Sequence, residues 1–168
     1  MKVKVKVPAT SANLGPGFDV AGLALTLYNT FTFELADQGL NITGCPEQFC
    51  NEENMTYQAF KQAAEICGLE YQGVNIECSG DVPYTRGLGS SSTCIVAGIV
   101  GAFAFKDKVE DRQEILELAT AIEGHPDNVA PAIFGGLTVS VMEEDNVLTL
   151  NIPVKHDYRF VTLIPPFT

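Results

Sequence analysis

Three segments of this chain carry residues whose types and spacing could do chemistry. The most informative runs Pro83-Tyr-Thr-Arg-Gly-Leu-Gly-Ser-Ser-Ser-Thr93. Gly87 and Gly89 permit tight backbone conformations and close approach to a ligand. Ser90, Ser91, Ser92 and Thr93 then open an apolar helix. Free amides at a helix N-terminus, aligned with the helix dipole, attract phosphate. Hydroxyls there can cap the helix, bond phosphate oxygens or reach a divalent cation. A capped helix after a glycine turn, with no ligand, accounts for the same string. The segment is not a Walker loop, since Gly-Lys-Ser/Thr is missing, and it lacks the third glycine of the dinucleotide fingerprint. Arg86 either meets a phosphate or faces solvent.

The second segment, Pro8-Ala-Thr-Ser-Ala-Asn-Leu-Gly-Pro-Gly-Phe-Asp-Val-Ala-Gly22, turns sharply at Gly15-Pro16-Gly17. Asn13 and Asp19 flank the turn and offer an amide and a carboxylate, either to a ligand or to their own backbone. The third, Glu123-Gly-His-Pro-Asp-Asn-Val-Ala-Pro-Ala-Ile-Phe-Gly-Gly136, sets polar groups against an apolar run. Asp127 reads most simply as a helix cap and His125 as a loop histidine.

The elements that must position these groups follow from periodicity. Lys alternating with Val over Met1–Val7 marks a half-buried strand, and Thr30–Leu35 alternates likewise. A helix is expected over Asn54–Cys67, stopping at Gly68. Gly73–Cys78 is expected to be a strand and Ser90–Phe105 a buried helix. Asp111 with Glu114 forms a capping-box signal for a helix to Ile122. Leu137–Met142, Val147–Ile152 and Phe160–Ile164 are the expected closing strands. Antiparallel-looking strand pairs with few helices indicate an α+β fold. No repeat, low-complexity tract or linker divides the chain. Ile164-Pro165-Pro166-Phe167-Thr168 follows a strand without a terminal helix or polar tail, which reads as a cut at a loop.

The 168 residues suit one domain with a sizeable core, and 46% hydrophobic with 18% charged residues indicates a globular protein. A net charge of −11, from 10 basic and 21 acidic residues, argues against a nucleic-acid partner. Cys45, Cys50, Cys67, Cys78 and Cys94 show no C-x-x-C spacing, so zinc and redox roles lack support and core packing is expected for most. The apolar run from Cys94 to Phe105 falls short of the roughly 20 residues a bilayer span needs. With Met1 leading directly into a strand, a cytoplasmic protein is expected.

Pro83, Gly87, Leu88, Gly89, Ser90 and Ser91 match P-x-x-x-G-L-G-S-S, the phosphate loop that this chain shares in resemblance with the GHMP kinases. The first and third segments resemble the homoserine-kinase branch of that family. The similarity spans residues 8 to 136. It implies the family's N-terminal domain over 1–168, a ribosomal-protein-like fold with a left-handed βαβ unit, and a C-terminal domain missing from this chain. It further implies ATP and Mg²⁺ as cofactors and L-homoserine as acceptor. On this resemblance Pro83, Arg86, Gly87, Leu88, Gly89, Ser90, Ser91, Ser92 and Thr93 hold the nucleotide, while Ser91 and Glu123 bind Mg²⁺, with Glu117 the alternative to Glu123. Asn13, Asp19 and Asn128 would position the acceptor. Asn128 cannot take a proton, so no clear general base remains. His125 is a proton acceptor by its ordinary pKa alone, a role we do not assign.

The implied reaction gives O-phospho-L-homoserine, a step toward threonine, and this chain alone is expected to be inactive. No nucleic acid or membrane is expected as a partner, and homodimerisation is left open. The competing readings are a sibling kinase with another acceptor, against which Asp19 and the His-Pro-Asp-Asn string argue, and a non-catalytic protein-binding domain of the same fold.

Overall fold

The computed structural model describes residues 1–143, 146–155 and 158–163. Strands β1 (Lys2–Leu14), β2 (Gly17–Ala36), β3 (Gly39–Thr43), β4 (Gly73–Gly80), β5 (Leu137–Glu143) and β6 (Asn146–Ile152) form a six-stranded sheet in the order β3-β4-β2-β5-β6, with β1 also on β2. Helices α1 (Met55–Cys67), α2 (Ser90–Ala104), α3 (Arg112–Glu123) and α4 (Pro126–Phe134) complete an α+β fold. A short 3-10 turn, Glu47–Phe49, precedes α1.

Local chemistry explains the helix boundaries. Asn54 caps α1, its side chain accepting from the amides of Thr56 and Tyr57, and Gly68 ends the helix in the left-handed conformation. Asp111 caps α3 by accepting from the Glu114 amide at 3.0 Å. α1 and α2 pack unusually closely because α2 presents Gly98 to α1. A Cβ there would lie 2.3 Å from the Thr56 carbonyl oxygen. Phe33 of β2 stacks on Phe60 of α1 with ring centroids 5.5 Å apart, and Phe103 and Ile99 of α2 are fully buried beside them. Val3, Val5 and Val7 point into this core while Lys2, Lys4 and Lys6 face out, as the alternation requires.

β2 is the spine. Its C-terminal half pairs with β1 on one edge and with β4 on the other, and Ala21–Leu23 pairs with β5. The expected loop between the first two strands is instead a continuation of both. Gly and Pro content had suggested a break, but the segment keeps pairing through two irregularities. Pro8 pairs with Tyr28 and Thr10 with Ala24, so Leu25–Leu27 bulge opposite Ala9. Ala12 pairs with Gly22 and Leu14 with Gly17, so Phe18–Ala21 bulge opposite Asn13.

β3, parallel to β4 across α1, was not expected. It is a five-residue edge strand whose brief alternation is flanked by glycines. The expected strand at Phe160–Ile164 is not one over Phe160–Leu163; Ile164, like the Pro165–Thr168 end, lies outside the described residues. Phe160, Val161 and Leu163 are 60%, 87% and 89% exposed, and apolar alternation makes no strand without a neighbour to pair with. Among the described residues no helix is long and apolar enough to cross a membrane.

Candidate functional site

The glycine loop is held from beneath. Leu88 is buried in a small second core with Ala9 and Val82, and Leu25 and Leu27 of the first bulge pack against it. The side chain of Leu88 therefore anchors the loop from beneath. Thr85, Gly87 and Gly89 all adopt positive φ. Gly89 is the N-cap of α2 and makes no side-chain cap, and the first helical bond is the Thr93 amide to the Gly89 carbonyl at 2.9 Å. The serine hydroxyls do not cap the helix. Ser91 Oγ and Ser92 Oγ both donate to Glu123 Oε1, at 2.7 and 3.0 Å. Thr93 Oγ1 donates to the Ser90 carbonyl and accepts from Asn29 Nδ2.

The three sequence segments meet at Gly89. The Thr10 amide donates to the Leu88 carbonyl at 3.1 Å, and Thr10 Oγ1 donates to Asn128 Oδ1 at 2.8 Å. A Cβ on Gly89 would stand 1.9 Å from Thr10 Oγ1 and 3.2 Å from Asn128 Oδ1, so only glycine fits. Asn128 Nδ2 reaches Asp127 Oδ1 at 3.3 Å.

α4 begins with His125 at the N-cap in extended conformation and Pro126 at the first helical position. Asp127 is not the N-cap that the sequence suggested. It sits in the first turn, fully buried, where the helix dipole favours its charge. His125 Nδ1 and Asp127 Oδ1 are 2.5 Å apart and share a hydrogen bond. Among the described residues, the buried Asp127 Oδ2 has no hydrogen-bond partner.

Asn13 and Asp19 face each other at the second bulge. Both are exposed, both have positive φ, and the Asp19 amide donates to Asn13 Oδ1 at 2.9 Å. Among the described residues no hydrogen bond joins this pair to Asn128. Glu117 accepts instead from Gln113 at 2.7 Å, while both serines bond Glu123.

Beside the glycine loop lies a cavity of about 410 Å³ bounded by β4, the 3-10 turn, the start of α1 and the loop itself. Arg86, Gly87, Ser90 and Ser91 line it, whereas Pro83, Leu88, Gly89, Ser92 and Thr93 do not. Among the described residues, Arg86 hydrogen-bonds the neighbouring Thr85 carbonyl and hydroxyl. Phe31, Phe49, Met55, Val82, Tyr84 and three cysteines give it an apolar wall, with Asn29, Glu53, Asn54, Thr56 and Ser79 among its polar lining. Sequence reasoning missed that wall because its residues come from separate elements and share no motif. As expected for most of the cysteines, Cys67 is buried in the core and Cys45, Cys78 and Cys94 pack against its edge, but their gathering at the cavity carries no sequence signal. Burial pushes the Cys78 thiol up to about 12 and the Cys45 thiol up to about 11, the latter helped by its contact with Cys50.

Among the described residues there is no cluster of three metal-ligating side chains. A site of one carboxylate and one hydroxyl needs none, since Mg²⁺ keeps water and phosphate oxygens as its other ligands. Ser91 and Glu123, already 2.7 Å apart, are hard oxygen donors of that kind.

Residues 54–136 match the family model of the GHMP kinases N terminal domain. A homoserine kinase from Clostridium beijerinckii is 50% identical over 166 residues, which cover 98% of this chain and 56% of that protein. One from Clostridium botulinum (strain Alaska E43 / Type E3) is 47% identical over the same shares. The crystal structure of a homoserine kinase from Cytophaga hutchinsonii superposes with a TM-score of 0.76 at 30% identity, covering 91% of this chain and 52% of that one. The chain belongs to the GHMP kinases and has the fold of their N-terminal domain. The relatives it matches over nearly its whole length carry the name homoserine kinase, and it spans about half of theirs.

Proposed function

We propose that this chain is the nucleotide-binding part of a homoserine kinase, a phosphotransferase that moves the ATP γ-phosphoryl group to the side-chain hydroxyl of L-homoserine and gives O-phospho-L-homoserine. The observation that carries the reading is the meeting of Thr10, Gly89 and Asn128, which ties the acceptor-side segments to the phosphate loop. Residues 1–168 are read as one ATP-binding domain, acting in the cytoplasm.

In this reading the amides of Gly87 to Ser91 at the dipole end of α2 receive the phosphates, and the apolar wall of the cavity receives the base. Arg86, on the cavity lining, is within the region of the phosphates. Ser91 and Glu123 would hold Mg²⁺, which when bound neutralises charge on the phosphate oxygens. Asp19 offers a carboxylate to the ammonium of the acceptor, with Asn13 beside it. Asn128, fixed by Thr10 and Asp127, aims its amide at the acceptor hydroxyl. The bond from the γ-phosphorus to its bridging oxygen breaks, the bond to the acceptor oxygen forms, and the hydroxyl proton leaves with solvent. A loose phosphoryl-transfer transition state asks mainly for positioning and charge neutralisation, so the lack of a base at Asn128 is no obstacle.

The test is isothermal titration of the full-length protein with MgADP and then L-homoserine, with a panel of alternative acceptors in a turnover assay. Binding of both ligands and turnover with homoserine above mevalonate or sugars is expected. Turnover with another acceptor would move the protein to a sibling branch, and absence of Mg-dependent nucleotide binding would leave a non-catalytic domain of the same fold.

A further inference from the structure

Four of the five cysteines lie together, although no spacing in the sequence announces them. Cys45 follows the end of β3, Cys78 is on β4 and Cys94 on α2, and all three line the cavity. Cys50 ends the 3-10 turn, exposed to solvent, and its Sγ is 3.5 Å from Cys45 Sγ. Cys50 Sγ also lies 3.7 Å from the carbonyls of Cys45 and Pro46, so the turn folds its thiol back over Cys45. Closing the gap to a disulfide of about 2.05 Å asks for side-chain rotation within a turn that already holds the sulfurs side by side.

We propose that Cys45 and Cys50 are a modification site, a dithiol at the rim of the nucleotide cavity that a hydroperoxide converts to a disulfide. The two thiols are unequal in a way that sets the order of events. Cys50 is the one solvent reaches, whereas Cys45 is half-buried and desolvated, which keeps it protonated. The Cys50 thiolate attacks one peroxide oxygen, the O–O bond breaks, and the departing oxygen takes a proton to leave as alcohol or water. Cys45 sulfur then attacks the resulting Cys50 sulfenic acid, the S–O bond breaks, and water leaves with the Cys45 proton. Two electrons pass from the thiols to one peroxide. Cys78 and Cys94, deeper in the cavity, are spectators.

The consequence for binding runs through Phe49. It precedes Cys50, lines the cavity, and its ring meets Tyr84 of the glycine loop at 6.2 Å between centroids. A bond across the turn constrains Phe49 and, through Tyr84, the segment leading to Gly87. This consequence rests on the cavity's being the nucleotide site; the disulfide itself does not.

The experiment treats the reduced full-length protein with hydrogen peroxide, blocks the remaining thiols and maps the peptides by mass. Expected is one linked peptide containing Cys45 and Cys50, lighter by two hydrogens and restored by dithiothreitol, with Cys67, Cys78 and Cys94 blocked as free thiols. Cys50→Ser should abolish the link, and Cys78→Ser should preserve it. A link through Cys78 or Cys94, or over-oxidation of Cys50 with Cys45 still free, overturns the site. MgADP titration is run on both forms. The oxidised protein should bind about tenfold more weakly, and Cys50→Ser should be indifferent to peroxide. Equal affinity of the two forms overturns the link to binding. A reduced protein that binds no MgADP refutes the nucleotide reading of the cavity while the peptide map still judges the disulfide.

Discussion

The phosphate loop and the hairpin tip are both built from glycine-rich sequence, yet the chain treats them in opposite ways. At the phosphate loop the side chains are used up: Leu88 is buried, Thr10 grips Asn128, and Ser91 and Ser92 both hold Glu123. At the tip, Asn13 and Asp19 are exposed in left-handed conformations and bond mainly to each other. Left-handed backbone in non-glycine residues costs energy and persists where surroundings or function demand it. One region is a finished socket, the other a pair of polar groups held out toward solvent. Glycine content alone did not separate them; what lies underneath each loop did.

The contrast can be broken most forcefully at the socket. Glu123→Gln in the full-length protein should cut turnover by about 10²- to 10³-fold, the loss expected when a fixed electrostatic partner of the transferring group is removed. A steady-state coupled assay measures it, and unchanged turnover would remove Glu123, and with it Ser91, from the metal role. Next in size, Gly89→Ala should lower stability by about 1–3 kcal/mol, because it adds a Cβ 1.9 Å from Thr10 Oγ1 at a positive φ. Urea melts would show a reduced midpoint, and a neutral result would mean the junction of the three segments is loose.

At the tip the expected pattern reverses. Asp19→Asn should leave the melting temperature unchanged and raise the KM for homoserine about tenfold, as expected for loss of a charge-assisted hydrogen bond to an ammonium group. A fall in stability with KM unaltered would make Asp19 a structural residue. The smallest effect concerns the cavity thiols. Their pKa values are raised from 9.0 to about 11 for Cys45 and about 12 for Cys78, so the folded state favours the neutral thiols. Their contribution is complete below pH 9 and is lost as pH rises toward 11 and 12. After allowance for solvent screening, Cys78→Ala should flatten the alkaline decline in unfolding free energy by about 1 kcal/mol or less.

Much of this architecture was legible in the chain. The Lys/Val alternation gave β1, Asn54 and Gly68 bounded α1, and Asp111 with Glu114 placed α3, since each signal is local and carries its own physics. The glycine loop and Glu123 could be named from their resemblance to the family, and they do meet. What stayed hidden depends on contacts between distant segments. Thr10 carried no signal of its own, Asp127 read as a helix cap, and the cysteines read as core filler. The buried position of Asp127 and the gathering of Cys45, Cys78 and Cys94 exist only once β4, α2 and α4 are packed. The bulges of β2 were hidden for a related reason, because a sequence shows turn residues but not which strand they remain paired to.

β2, at 20 residues, has a contour of about 65 Å and runs from the hairpin tip, past the β5 pairing, to the flank of β4. Phe31 and Phe33 lock its far half in the core, and a slip of one residue would turn both out to solvent. The strand therefore works as a measuring rod with one end clamped. The reach from the core to Asp19 is counted out in residues, and the excess gathered in the two bulges is its vernier. Lengthening or shortening either bulge would reset that reach while the clamped end stayed in place, so that, on the proposed function, the bulges are the points at which one scaffold could be re-gauged for acceptors of different length.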